Sequence, residues 1–158
     1  MITSREKFYR GLFLVAAIYD ISLGIIFTFF YKFVFQLLNI SEIIPEFEGY
    51  IPLIGAFLFV IGIGYLLIFL GDLHRNRDLI SVGALYKLAY CVIVFYYFAI
   101  GNIPHIIFLS LFGVADLVFF ILMVECLLFL GRKEEKWYFK NWSLKFMLKK
   151  WGEASQFH

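Results

Sequence analysis

Residues 104–130 read PHIIFLSLFGVADLVFFILMVECLLFL, an apolar run broken by two charges, Asp116 and Glu125. The run is continuous rather than alternating, and far longer than the roughly 10 residues of a transmembrane barrel strand. A helix needs about 20 predominantly apolar residues to cross a bilayer, and only helices and closed barrels satisfy their backbone polar groups there. The stretch therefore predicts a transmembrane helix. Three further runs have the same character: Tyr9 to Tyr31, extendable through KFVFQLL, then Tyr50 to Leu70, and Leu79 to Ile100.

Composition agrees. Of the 158 residues, 63% are hydrophobic and 16% are charged, against roughly 45–50% and about 25% in ordinary globular domains. A soluble domain of this length has too much surface for its volume to hide so much apolar matter. Disorder, a disulfide scaffold and a nucleic-acid module all fit poorly. The expected fold is an all-α polytopic membrane protein: a four-transmembrane-helix bundle over residues 1–131, followed by a basic, aromatic cytoplasmic tail over residues 132–158. The first run lacks a small-residue cleavage pattern and reads as a retained span rather than a signal peptide.

Punctuation between the runs sets the boundaries. The first loop, NISEIIPEFEG, carries Pro45 and the acidic residues Glu42, Glu46 and Glu48; the second, GDLHRNRD, is compact and polar; the third is GNIP. In the third, Gly101 is placed to end one helix and Pro104 to start the next. Arg5, Lys7 and Arg10 precede the first run, Arg75 and Arg77 lie in the second loop, and Arg132, Lys133, Lys136, Lys140, Lys145, Lys149 and Lys150 follow the fourth run. Only Lys32 and Lys87 remain of the 14 basic residues. Basic residues stay on the cytoplasmic side, so both termini are expected there and the acidic loop outside.

In the tail, Trp137, Tyr138, Trp142 and Trp151 are interleaved with lysines, among them Lys145, Lys149 and Lys150. Indole rings favour the headgroup layer, and basic side chains gain about 1 kcal/mol each near an anionic leaflet. The expected partners are therefore anionic lipids on the cytoplasmic side, with no nucleic acid. The apolar positions form no single clean stripe on a helical wheel, so a regular amphipathic helix is not expected.

Four ionisable residues interrupt the runs. At 1.5 Å per residue, Asp20 lies about 14 Å, Lys87 about 12 Å and Asp116 about 21 Å from the cytoplasmic side, all within a slab of roughly 10 Å near the midplane. Glu125 lies nearer the inner face, where it can snorkel toward Arg132 and Lys133. Each midplane charge costs several kcal/mol unless paired or wetted, so Asp20, Lys87 and Asp116 are expected to form one cluster. Local spacing points the same way. Ala16, Asp20, Gly24 and Thr28 recur every four residues; so do Gly83, Lys87 and Cys91; and Ser110, Gly113 and Asp116 recur every three. The second run carries no charge but has Gly55, Gly62 and Gly64, the mark of a packing helix. Such a cluster can fix register and partner choice, bind a ligand or handle protons, or pair with charges of another subunit.

Other chemistry is sparse. Cys91 and Cys126 lie in apolar runs and form no C-x-x-C; His74 and His105 have no histidine neighbour; nucleophile-elbow, P-loop and zinc-protease motifs are missing. No catalytic residue, metal site or cofactor is assigned. Tyr19, Tyr65, Tyr86, Tyr90, Tyr96 and Tyr97 can offer hydroxyls to a cavity or pack and form interface belts.

AIYDISLG at 17–24, GAFLFVIGIGY at 55–65, HRNRDLISVGALYK at 74–87 and GVADLVFF at 113–120 together resemble the small four-helix bacterial inner-membrane proteins grouped as DoxX-like. The resemblance covers Tyr9 to Leu130. It implies a four-helix topology in a bacterial inner membrane, in a family associated in places with quinone-linked or thiol redox systems. This chain has no redox motif, so topology is carried over and chemistry is not. The leading expectation is a non-enzymatic accessory subunit or binder of a lipophilic molecule, working within a larger membrane complex or as a homo-oligomer. A small proton-coupled transporter and a membrane-embedded enzyme acting on a quinone or sterol-like substrate are the alternatives.

Overall fold

Apolar runs of this length become helices because a helix pairs its backbone groups within itself. The computed structural model describes residues 4–131. Its four long helices are α1 (Ser4–Leu37), α2 (Tyr50–Leu70), α3 (Arg77–Ala99) and α4 (Ile106–Gly131), each long and apolar enough to cross a membrane. Among the described residues there is no strand. The tail, with Trp137, Trp142, Lys145, Lys149, Lys150 and Trp151, lies outside the described residues, as do Arg132 and Lys133.

Helix ends follow local chemistry. At the end of α3, Gly101 takes a φ of 70°. Its N–H donates to Phe98 and that of Asn102 to Tyr97, at 3.0 and 2.9 Å, the paired bonds of a Schellman cap. Asn39 closes α1 in the same way at φ 55°, with Asn39 donating to Gln36 and Ile40 to Phe35. Between α2 and α3, Asp72 Oδ1 accepts from the N–H groups of His74 and Arg75, and Asn76 Nδ2 donates to Asp72 O. Pro104 does not start the last helix. The extended residue His105 precedes it, its Nδ1 accepting the Ile107 N–H at 3.2 Å, so α4 begins two residues later than expected.

Two segments are wound more widely, in π-helical turns: Ile26–Phe30 in α1 and Leu109–Ala115 in α4. The second overturns one expectation. Gly113 and Asp116 are buried, but Ser110 is exposed and its hydroxyl donates to Ile106 O. A π turn takes more residues than an α turn, so a three-residue spacing does not stay on one face across it.

Helices α1 and α2 pack backbone to backbone. A Cβ on Gly62 would lie 2.8 Å from Ile21 N, and one on Gly55 2.6 Å from Thr28 N. The missing side chains let the two helices approach, the familiar use of small residues between apolar helices. Gly64 is different: a Cβ there would meet Leu79 Cδ1 at 3.9 Å, an ordinary van der Waals contact, so this position does not hold two backbones together.

The helices run antiparallel in sequence. At one end, Arg10 donates from Nη2 to Gly71 O, and Gly131 lies beside the Arg77 guanidinium. At the other end, Glu48 pairs with Lys32 at 2.6 Å and accepts from the Tyr31 hydroxyl at 2.7 Å. Basic residues thus collect at one end of the bundle and the acidic loop at the other. The largest buried cluster, including Tyr9, Phe13, Tyr65, Ile80, Met123 and Leu130, fills the basic end. The outer surface is also apolar, with Phe29, Phe57, Val60, Val92 and Ile121 all exposed.

Candidate functional site

The bundle centre holds three ionisable side chains on three helices. Asp20 comes from α1, six residues before its π segment begins; Lys87 is midway along α3; Asp116 is the first residue after the π segment of α4. Lys87 Nζ donates to Asp20 Oδ1 at 2.7 Å and to Asp116 Oδ1 at 2.8 Å. Side-chain exposures are 0% for Lys87 and Asp20 and 1% for Asp116. The structure brings together the three residues that the depth argument grouped. It also places Ala16, Gly24, Gly83 and Cys91 on buried faces beside them.

Aromatic rings complete the surroundings of the cation. Nζ lies 5.0 Å from the ring centre of Tyr19, 5.4 Å from Phe119 and 5.8 Å from Tyr65. A cation near a ring face is attracted by the ring quadrupole. All four helices therefore contribute, since Tyr65 belongs to α2. Phe119 escaped the sequence reading because a phenylalanine in an apolar run carries no mark of its orientation.

The tyrosine hydroxyls hold the frame rather than the charges. Tyr19 donates to Leu111 O at 3.0 Å, and Cys91 Sγ to Gly113 O at 3.4 Å. Both acceptors lie in the π segment of α4, so α1 and α3 grip it on either side of the cluster. Tyr65 donates to Gly83 O at 2.9 Å. Gly83 makes this possible, because a Cβ there would lie 2.5 Å from the Tyr65 ring. Tyr86 and Tyr90 pack with ring centres 4.8 Å apart and planes tilted by 46°, while Tyr96 and Tyr97 are exposed.

Charge and hydrogen bonds are incompletely balanced. Two carboxylates face one ammonium, a formal charge of −1 if both acids are ionised. Asp20 Oδ2 and Asp116 Oδ2 are buried without a partner among the described residues. Buried polar atoms are normally satisfied, so these two oxygens are the chemically open positions of the site. The cluster can lock the register of three helices, hold a cation, or take up one proton.

Among the described residues, cavities lie outside the cluster. One, of about 300 Å³, lies between α2 and α3; its walls include Val60, Gly64, Leu67, Leu79 and Val82. Its buried wall is Tyr65 and Gly83, so Tyr65 touches both this cavity and Lys87. Another, of about 200 Å³, is lined by Arg5, Tyr9, Glu125, Leu128 and Phe129. The partners expected for Glu125, Arg132 and Lys133, are outside the described residues; within them, Glu125 accepts from Tyr9. Cys91 and Cys126 are free and buried, His74 lies in the loop between α2 and α3, and His105 caps α4.

Fold and site together define a small chain of four helices apolar enough to cross a membrane, joined at the centre by a buried acid–base–acid cluster. No protein-family profile, curated protein or solved structure matches the chain.

Proposed function

We propose that this chain is a small bacterial inner-membrane protein that binds a lipophilic molecule, with the Asp20–Lys87–Asp116 cluster as the polar centre of the binding region. The reading includes cytoplasmic termini and a tail that rests on anionic lipid, and it keeps the DoxX-like resemblance for topology. The observation that carries it is the apolar cavity between α2 and α3. Its volume of about 300 Å³ is at the lower end of the range for small-molecule sites. Exposed Val60, Leu67 and Val82 border it, so a molecule can enter from the hydrocarbon. Tyr65, held to Gly83, lines this cavity, and its ring centre lies 5.8 Å from the Lys87 ammonium.

The test is purification in mild detergent followed by mass spectrometry of bound lipids and proteins. The expected result is one lipophile near equimolar with the chain, lost from Gly64→Phe. Position 64 lines the cavity and no backbone atom of a neighbouring helix lies within 4 Å of a Cβ there, only the Leu79 side chain, so the new ring fills the cavity without displacing a neighbouring backbone. A lipophile retained by Gly64→Phe would overturn the reading. An equimolar protein partner with no lipophile would favour an accessory subunit.

A second reading, a proton-coupled transporter, is supported by the two unpartnered oxygens Asp20 Oδ2 and Asp116 Oδ2. A proton on either would neutralise the cluster, and carboxylates buried in spans often serve as proton carriers. This reading requires flux in liposomes that moves protons and is lost in Asp20→Asn.

A further inference from the structure

The smaller cavity lies at the basic end of the bundle, between the start of α1 and the last turns of α4. Its walls are Arg5, Tyr9, Glu125, Leu128 and Phe129. Glu125 is exposed, and its level is about 9 Å inside the end of α4 at 1.5 Å per residue. A carboxylate on the outer face of an apolar helix costs free energy unless a counter-charge reaches it. Tyr9, only 2% exposed, donates its hydroxyl to Glu125 Oε1 at 3.0 Å and fixes the carboxylate in place. Among the described residues Oε2 has no hydrogen-bond partner. Across the same cavity, the Arg5 guanidinium lies 6.0 Å from the Phe129 ring centre and pairs with no carboxylate among the described residues. The site thus presents a fixed anion and a cation on one cavity, each with capacity to spare, above the apolar walls of Leu128 and Phe129.

We infer that this cavity binds the headgroup of a zwitterionic aminophospholipid, with its primary ammonium on Glu125 and its phosphate on Arg5. An ammonium offers three N–H donors to a carboxylate, and guanidinium pairs with phosphate in a bidentate fork. A quaternary choline has no N–H to give, and a glycerol headgroup has no cation. Leu128 and Phe129 supply the surface against which acyl chains lie, which favours a lipid over a free headgroup. The inference shares only the membrane setting with the lipophile-binding reading and uses neither its cavity nor the central cluster.

The experiment is native mass spectrometry of the full chain in detergent, titrated separately with dioleoyl phosphatidylethanolamine, phosphatidylcholine and phosphatidylglycerol. One ethanolamine lipid should be retained roughly tenfold more tightly than either other lipid, the scale of one charge-assisted hydrogen bond. Glu125→Gln keeps an oxygen for the Tyr9 hydroxyl and should remove the preference, with thermal melting in lipid-free detergent unchanged. Arg5→Gln, at the solvent-exposed start of α1, should weaken all three lipids and serves as an independent variant if Glu125→Gln does not fold. Equal retention of the choline or glycerol lipid would overturn the inference, as would a preference that survives both substitutions. Glycerophosphoethanolamine binding as tightly as the intact lipid would overturn the assignment to a lipid.

Discussion

Lys87 is the residue on which the centre of the bundle depends. Among the described residues it supplies the only hydrogen bonds that the two buried aspartates receive from side chains. Removing one member of a buried charge set typically costs 3–5 kcal/mol, whereas replacing the whole set with apolar groups can be near neutral. Lys87→Met should therefore lower the melting temperature in detergent more than the triple change Asp20→Leu, Lys87→Met, Asp116→Leu. If the triple variant instead lost the sum of three separate penalties, the residues would not act as a unit. If it melted normally but lost its ligand, the cluster would serve binding rather than folding. Glu48 offers a contrast at the surface. Lys32 and Tyr31 both donate to it and hold its carboxyl below the ordinary carboxylate range. A lowered folded value means that the contribution is complete above the unfolded value and disappears as pH falls through the folded one. Glu48→Gln should thus lower the melting temperature slightly at neutral pH, and the difference should vanish in acid. Because the pair is exposed, added salt should shrink it too.

At the scale of helices, α2 shows how one residue type serves two purposes two positions apart. Gly62→Ala should destabilise the bundle by about 1–3 kcal/mol, the usual cost of overpacking, because the new methyl meets the α1 backbone. Gly64→Ala should be neutral or stabilise by up to about 1 kcal/mol, since it adds helix propensity where the new methyl meets Leu79 at ordinary contact distance. Unfolding of the two variants in detergent measures the contrast, and equal effects would mean that the α1–α2 contact is misplaced. The sequence could not separate the two glycines. Every other residue of α2 is apolar or aromatic, so no polar position marks which side of the helix faces inward. The midplane charges were legible for the opposite reason: burial makes each costly, and opposite signs at similar depth leave one economical arrangement. The π segments were illegible because no periodicity announces them, and the misplacement of Ser110 follows directly from the one in α4.

For the molecule as a whole, the separation of charge between its two ends predicts which loop faces outward. A single cysteine at Glu46, in the exposed acidic loop, should react with a membrane-impermeant maleimide in intact cells; Cys91 and Cys126, 2% and 0% exposed, should stay silent. Labelling only after permeabilisation would invert the orientation. The four helices, their order and the polarity of the ends were legible from run lengths and the distribution of lysine and arginine. The cavities described above were not, because each is lined by residues of two helices and leaves no trace in either helix alone. The central cluster also imposes a schedule on biosynthesis. Asp20 leaves the ribosome 67 residues before Lys87, and Asp116 follows Lys87 by 29. At about 5–20 residues per second, the first acid waits on the order of ten seconds for its base. Throughout that interval the nascent α1–α2 hairpin holds an unneutralised carboxylate among apolar side chains. A chain truncated before α3 never gains the Lys87 ammonium, so the same acid that anchors the finished bundle stays unpaired in an unfinished one.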